Sequence, residues 1–312
     1  MKEILQSKYS KFFLAGLLLN ILCAWFSSGY FHADEHFQIL EFCNYKLGQL
    51  PREFAPWELV AKVRSTLLPW MVYWLTEALA RIYVYSPFVV VFLLRLFTGI
   101  AAWFISCRMC LLLIPQLKTS KGEKLLVLMS MFLWFIPFLN VRFSAENTSG
   151  ITFLYGSYFI LQAQYKNNKS LIPYVIAGLL FGLSCFLRVQ MLFAVAGLLA
   201  WLLLVKKTGW KYFFVLFLSA MIPVGINYIL DSLFYGTPVF TPFNYFYTNI
   251  VQHKAEFYGV SPWWYFIPTY LEKAGPPLSV FLLIMFICAI YKYPRHPLVW
   301  IALPFILIHF FL

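Results

Sequence analysis

Long apolar runs broken by short polar stretches recur along the whole chain. Runs of about 17 to 25 residues can cross a hydrocarbon core roughly 30 Å thick as helices. Read against their flanks, they predict about nine spans, at residues 12–28, 87–114, 125–140, 148–165, 171–187, 190–205, 212–234, 278–290 and 298–312. Backbone groups in lipid must find their partners within the segment, so the expected fold is all-α and polytopic. The first run follows a short basic stretch, as a secretory signal would. No small-residue cleavage site follows it, and further spans do, so it is read as an uncleaved first helix. Residues 64–85, RSTLLPWMVYWLTEALARIYVY, are apolar enough to span but hold Pro69, Glu77 and Arg81. Their mixture of rings and charges predicts an amphipathic helix at the headgroup level.

Composition agrees with this pattern. The 312 residues are 62% hydrophobic, 21% aromatic and 12% charged, against about 25% charged in soluble domains. A net charge of +12 suggests nucleic acid in a soluble protein, but here it sorts by loop. With the N-terminus inside, the inner segments hold 13 basic and 2 acidic residues, and the outer segments hold 9 basic and 10 acidic. That is the positive-inside asymmetry, and counting 64–85 as a span would destroy it. Two outer segments are long, roughly 29–86 and 235–277, and long loops tend to carry function. No repeat or linker divides the chain, so residues 1–312 are expected to form one domain. The six cysteines are scattered, and the lone C-x-x-C of Cys107 and Cys110 lies in an apolar run without a second ligand pair.

The candidate chemistry gathers on the outer side. In GYFHADEHFQILEF (29–42), Asp34 and Glu35 lie between His32 and His36 where the first helix ends. A partly desolvated carboxylate with a histidine in reach can accept a proton from a hydroxyl, which makes Asp34 the candidate general base. His32 and His36, four apart, can share a helix face and bind metal. Alternatively, the acids cap a helix and offset its dipole. Arg64 and Ser65 follow on the same side, after Trp57 and Glu58, and arginine can grip a phosphate through two parallel hydrogen bonds. Arg142 with Glu146, and Arg188 with Gln190, stand at outer helix ends. They suit an anionic lipid phosphate, or Arg142 and Glu146 pair with each other at helical spacing. Asn147–Thr148–Ser149 has the form of a glycosylation sequon. Residues 235–266 are rich in Tyr, Phe, Trp, Pro and Asn, with His253 and Lys254 supplying charge, as suits a sugar, a lipid headgroup or an aromatic belt. Gly236 and Gly259 are read as turns.

These residues together resemble glycosyltransferase family 22, the dolichyl-phosphate-mannose-dependent mannosyltransferases of lipid-linked oligosaccharide and GPI-anchor assembly, which has bacterial relatives. HADEHFQILEF (32–42) is similar to the family's H-P-D-E followed by an aromatic residue and Gln. The resemblance continues through Trp57–Glu58, Arg64–Ser65 and Pro69, Arg142 to Glu146, Gly182 to Arg188, and YGTPVFTPFNYFYTN with the later YG and PWWYF. It implies a GT-C-type transmembrane fold and inverting transfer of mannose or a similar hexose from a polyprenyl-phosphate donor to a glycolipid or glycan acceptor on the non-cytoplasmic face. Asp34 and Glu35 would then be catalytic. His32, His36, Gln38, Trp57, Glu58, Arg64, Ser65, Arg142, Glu146, Arg188, Asn244, Asn249, His253, Tyr258 and Trp263 would bind donor or acceptor. No metal or other cofactor is required, and membrane lipids rather than nucleic acid are the expected surroundings. The rival function is a transporter or flippase of an amphiphilic lipid-linked substrate, which should carry charges and broken helices near the midplane. The short loops favour a bacterial inner membrane, with the endoplasmic reticulum as the eukaryotic counterpart. Two departures stand out. Ala33 occupies the family's proline position, and a second outer motif of the H-K-E-x-R-F kind is expected beyond Leu312.

Overall fold

The computed structural model describes residues 1–254, 256, 259 and 261–310, and among them there is no strand. The helices are α1 Lys2–Gln6, α2 Ser10–Phe26, α3 Ala33–Glu35, α4 Glu41–Lys46, α5 Trp57–Ala61, α6 Leu67–Ala80, α7 Pro87–Leu113, α8 Ser120–Phe132, α9 Phe135–Asn140, α10 Ala145–Tyr165, α11 Ile172–Leu187, α12 Met191–Ala200, α13 Trp210–Tyr235, α14 Thr241–Phe246, α15 Phe266–Ala274, α16 Leu278–Lys292 and α17 Pro297–His309. π-helical turns at His36–Leu40, Trp201–Val205 and Tyr247–Val251 extend α3, α12 and α14.

Local signals set the ends. Thr119 Oγ1 accepts the Gly122 N–H (3.1 Å) to start α8, and Ser144 Oγ accepts the Asn147 N–H (3.2 Å) to start α10, each meeting an amide that has no partner inside its helix. Pro87 opens α7, where its missing N–H costs nothing. Gly236 ends α13 at φ 69°, a left-handed conformation that favours glycine.

A helix lies at each predicted span, with one change. The run at 125–140 is broken into α8 and α9, because Pro137 has no N–H to donate and in a continuous helix its ring would clash with the carbonyl of residue 133, where the chain leaves helical geometry. Among the described residues two helices, Pro87–Gln116 and Trp210–Tyr235, are long and apolar enough to cross a membrane by length and composition. Ser10–Phe26, Ile172–Leu187, Met191–Val205, Leu278–Lys292 and Pro297–His309 are apolar but shorter. Within segment 64–85, Leu67–Ala80 forms the helix α6, with Leu68, Pro69 and Val72 buried.

The main apolar core lies among α10, α11, α12 and α13, around Tyr174, Leu161, Leu198 and Trp201. A second joins α1, α2, α7 and α8 around Phe13, Trp103 and Val127. Close approach of α11 to α13 depends on Gly178 and Gly182. A Cβ at Gly178 would stand 2.0 Å from Ser219 Oγ, and one at Gly182 would stand 2.2 Å from the Ala220 carbonyl oxygen. This is the small-residue spacing that lets helix backbones meet. Gly182→Leu is therefore expected to destabilise the fold by about 1–3 kcal/mol through overpacking, read as a lower unfolding temperature in detergent; an unchanged midpoint would remove the close approach from the argument.

Contacts between helix ends sort into two groups. At one end, Lys8 Nζ meets Glu123 at 2.5 Å, Tyr212 donates to the Lys169 carbonyl at 3.1 Å and Trp201 to the Arg295 carbonyl at 2.8 Å. At the other, Trp134 donates to the Ala274 carbonyl at 3.2 Å, Trp70 to the Leu230 carbonyl at 3.1 Å, and Gln190 to Tyr245 at 3.2 Å. The second end carries the acidic turn after α2, the loop before α6 and the loop after α13.

Candidate active site

The turn between α2 and α3 is held by its own side chains. Glu35 Oε1 accepts the backbone N–H groups of Phe31 (3.2 Å) and His32 (3.3 Å), while His32 Nδ1 accepts the Asp34 N–H (3.3 Å). This reciprocal cap satisfies amides that a short helix would leave without partners. The capping alternative thus holds for His32 and Glu35. Glu35 is buried and turns Oε2 toward Arg142 Nη1 at 3.8 Å. Ala33 stands at the first helical position, where proline is tolerated.

Asp34 differs from its neighbour. It is half-buried, with Oδ1 3.5 Å from His32 Nδ1 and Oδ2 3.9 Å from Arg64 Nη2. The Arg64 guanidinium also stands 5.3 Å from the ring centre of Tyr245. His36 Nε2 lies 3.1 Å from Glu41, pointing to a different partner from that of His32. Gln38 donates to Glu58 at 3.3 Å, joining two predicted residues. No group of three or more His, Cys, Asp or Glu side chains with metal-holding geometry occurs among the described residues.

Arg142, Arg188 and Arg95 also stand at this end. Arg142 is buried, lies 4.2 Å from the Phe138 ring centre and donates to the Gly29 carbonyl at 3.5 Å. Burial pulls its guanidinium below the ordinary value, and the Glu35 carboxylate opposes that pull. The predicted alternative pair of Arg142 with Glu146 does not form: Glu146 pairs with Arg188, and Arg142 with Glu35. Ser144 caps α10 in extended geometry, so Arg142 precedes the helix and four-residue spacing does not apply to it. Asn147 donates to the carbonyls of Leu139 (2.8 Å), Asn140 (3.0 Å) and Arg142 (2.8 Å), which fixes the turn that carries Arg142.

Arg95 and Asp231 lie outside the sequence-derived site. Arg95 projects from α7 and donates to the carbonyls of Ser27 and Gly29, so it receives the end of α2 just before the acidic turn. An arginine inside an apolar run is costly unless it has such a task, and that cost was the available signal. A cavity of about 480 Å³ lies beside it, and Trp25, Phe88, Phe92, Glu35, His36 and Arg95 are among the residues that line it. Arg64, Ser65, Arg188, Gln190, Thr241 and Tyr245 line a separate narrow cleft.

The remaining predicted residues divide. Asn244 donates to the Lys62 carbonyl at 3.2 Å and so ties the second outer loop to the first. Trp57 lies under Lys254, 5.5 Å from its ring centre, making a second tie. Asn249 bonds back to Tyr245 (3.0 Å), His253 to Glu256 (2.5 Å), and the Trp263 ring meets Phe310 (6.4 Å), so these three make their contacts away from the acidic turn. Tyr258 lies outside the described residues. Gly236 and Gly259 both have positive φ, at 69° and 105°, consistent with turns.

A carboxylate with one open face, opposed by an arginine and bordered by further cations, is suited to proton abstraction beside a bound anion. The profile of the Alg9-like mannosyltransferase family matches residues 11–312. The chain belongs to that family. Relatives carry the same kind of name. GPI mannosyltransferase 3 of Yarrowia lipolytica is 29% identical over 264 residues, covering 80% of this chain and 48% of that protein. Mannosyltransferase APTG1 of Arabidopsis thaliana is 26% identical over 270 residues, covering 84% and 47%. A probable Dol-P-Man:Man(7)GlcNAc(2)-PP-Dol alpha-1,6-mannosyltransferase of Schizosaccharomyces pombe is 32% identical over 95 residues, covering 30% and 17%. The chain spans about half the length of the relatives that it matches most broadly. No solved structure matches it.

Proposed function

We propose that this Alg9-like chain is the site-bearing part of a membrane-embedded mannosyltransferase of GT-C type, with about nine spans and its site on the non-cytoplasmic face. It transfers mannose from a polyprenyl-phosphate donor to a glycolipid or glycan acceptor, with inversion. The observation that carries this reading is the pairing of half-buried Asp34 with Arg64 at 3.9 Å, on the helix end where the outer loops meet. Membership of the family and the donor named for the fission-yeast relative support the choice of sugar and carrier.

Asp34 takes the proton from the acceptor hydroxyl as its oxygen forms a bond to the anomeric carbon. The bond from that carbon to the phosphate oxygen breaks on the opposite face, and polyprenyl phosphate leaves with the electron pair. Arg64 and Arg188, beside the narrow cleft, supply positive charge to the departing phosphate. Glu35 braces the turn through the two amides it accepts and through Arg142, and leaves the base role to Asp34. The cavity beside Trp25, Phe92 and Arg95 suits part of the donor's isoprene chain.

The test is an assay of the purified full-length protein with polyprenyl-phosphate mannose and a set of acceptor glycolipids, followed by analysis of the new linkage. An α-mannosyl product from a β-linked donor is expected. No product from any acceptor, or transfer with retention, would overturn the reading.

A further inference from the structure

We propose that Asp231 is a positioning residue for the sugar-transfer site, holding the turn before α6 so that Arg64 faces Asp34. The proposal rests on the transferase reading above, and it concerns a residue that neither touches Asp34 nor lines the narrow cleft.

Asp231 lies one turn before the end of α13 and is wholly buried. Its Oδ1 accepts two hydrogen bonds from Thr66, from the backbone N–H at 2.7 Å and from the hydroxyl at 2.7 Å. Its Oδ2 accepts the Thr241 hydroxyl at 2.6 Å. One carboxylate therefore joins three segments: the turn before α6, the end of α13 and the start of α14. Thr66 and Thr241 are themselves buried, so none of these donors has water as a ready substitute.

The same turn is gripped at neighbouring points. Tyr235, one turn after Asp231, donates to the Arg64 carbonyl at 2.8 Å. Asn244 donates to the Lys62 carbonyl at 3.2 Å, and Lys62 Nζ donates to Thr237 at 2.6 Å. Residues 62 to 66 thus take their backbone path from α13 and the loop that follows it. Arg64 sits in the middle of that stretch, with its guanidinium between Asp34 and the ring of Tyr245. Its Nε is buried and has no hydrogen-bond partner among the described residues, so the side chain is held by its backbone and neighbours rather than by a full set of bonds. Release of Thr66 from Asp231 would free the arginine to move off Asp34.

The test is a double-mutant cycle in the full-length protein. Asp231→Leu removes the acceptors, Asp231→Asn keeps an oxygen for Thr66 and an amide for the Thr241 hydroxyl, and Arg64→Gln removes the residue acted upon. Asp231→Leu is expected to lower kcat/KM to the level of Arg64→Gln, and the double variant is expected to be no worse than Arg64→Gln alone. Asp231→Asn should recover activity to within several-fold of the parent. Additive losses, or equal loss in Asp231→Asn and Asp231→Leu, would overturn the proposal, whereas a parent protein that transfers no sugar would count against the function instead. A cryo-EM structure of Asp231→Leu decides the positioning independently of activity. Arg64 withdrawn from Asp34 supports it, and an unchanged separation of 3.9 Å refutes it.

Discussion

Asp34→Asn is expected to lower kcat for sugar transfer by about 10²- to 10⁴-fold, the contribution typical of a general base, while the protein remains folded and inserted. The amide has nearly the shape of the carboxylate but cannot take the acceptor proton at neutral pH. Stability should change little, because the Asp34 to Arg64 contact is long and partly open to water, and such pairs contribute about 0–1 kcal/mol. The expected signature is thus lost turnover with donor affinity and unfolding temperature close to those of the parent. Turnover within about threefold of the parent would sink the base assignment. Loss of donor binding without loss of kcat would shift Asp34 from chemistry to recognition.

Arg142→Met should act on stability first. Glu35 and Arg142 are both buried, and removal of the arginine leaves the carboxylate with Arg95 as a neighbouring cation and two backbone amides, so the cost should stay below the roughly 3–5 kcal/mol of a buried pair broken without compensation. Methionine keeps much of the length and the contact with Phe138, so the effect reads the loss of the charge and of its weak hydrogen bond to the Gly29 carbonyl. Adding Glu35→Gln should restore part of the loss, since the remaining carboxylate is then neutral and its amide oxygen still accepts from Phe31 and His32. Thermal unfolding in detergent reads both steps. A single variant as stable as the parent, or a double variant that loses both costs in full, would show that the pair does not hold the turn.

The legible part of the site was its list of local features. His32 to His36, Arg64 and Arg188 carry charge beside long apolar runs, and such residues are costly near lipid without a task. Partnership was much less legible. Arg142 and Glu146 have helical spacing in sequence, yet each pairs with a residue from another element because Arg142 falls before the cap of α10. Arg95 and Asp231 sit inside the two longest apolar helices, where a reading by apolar runs passes over them. Their tasks are long-range: Arg95 reaches carbonyls 66 and 68 positions earlier, and Asp231 reaches Thr66 across 165 positions.

The acidic turn shows the same division within four residues. Residue type and position at the end of an apolar run sufficed to mark His32, Asp34, Glu35 and His36 as a candidate site with capping as its alternative. Tertiary structure gave the two acids different environments, by closing Glu35 with two amides and Arg142 and leaving Asp34 half-buried beside Arg64.

By itself, then, the sequence determined an all-helical chain with helices at each apolar run, because backbone groups without water can be satisfied only within such segments. It also determined which loops carry charge and rings, since charge in the flanks follows composition alone. Only the tertiary structure decided which loop meets which. That depends on helices brought together at small residues such as Gly178 and Gly182, and on buried acceptors such as Asp231, whose partners lie far away along the chain.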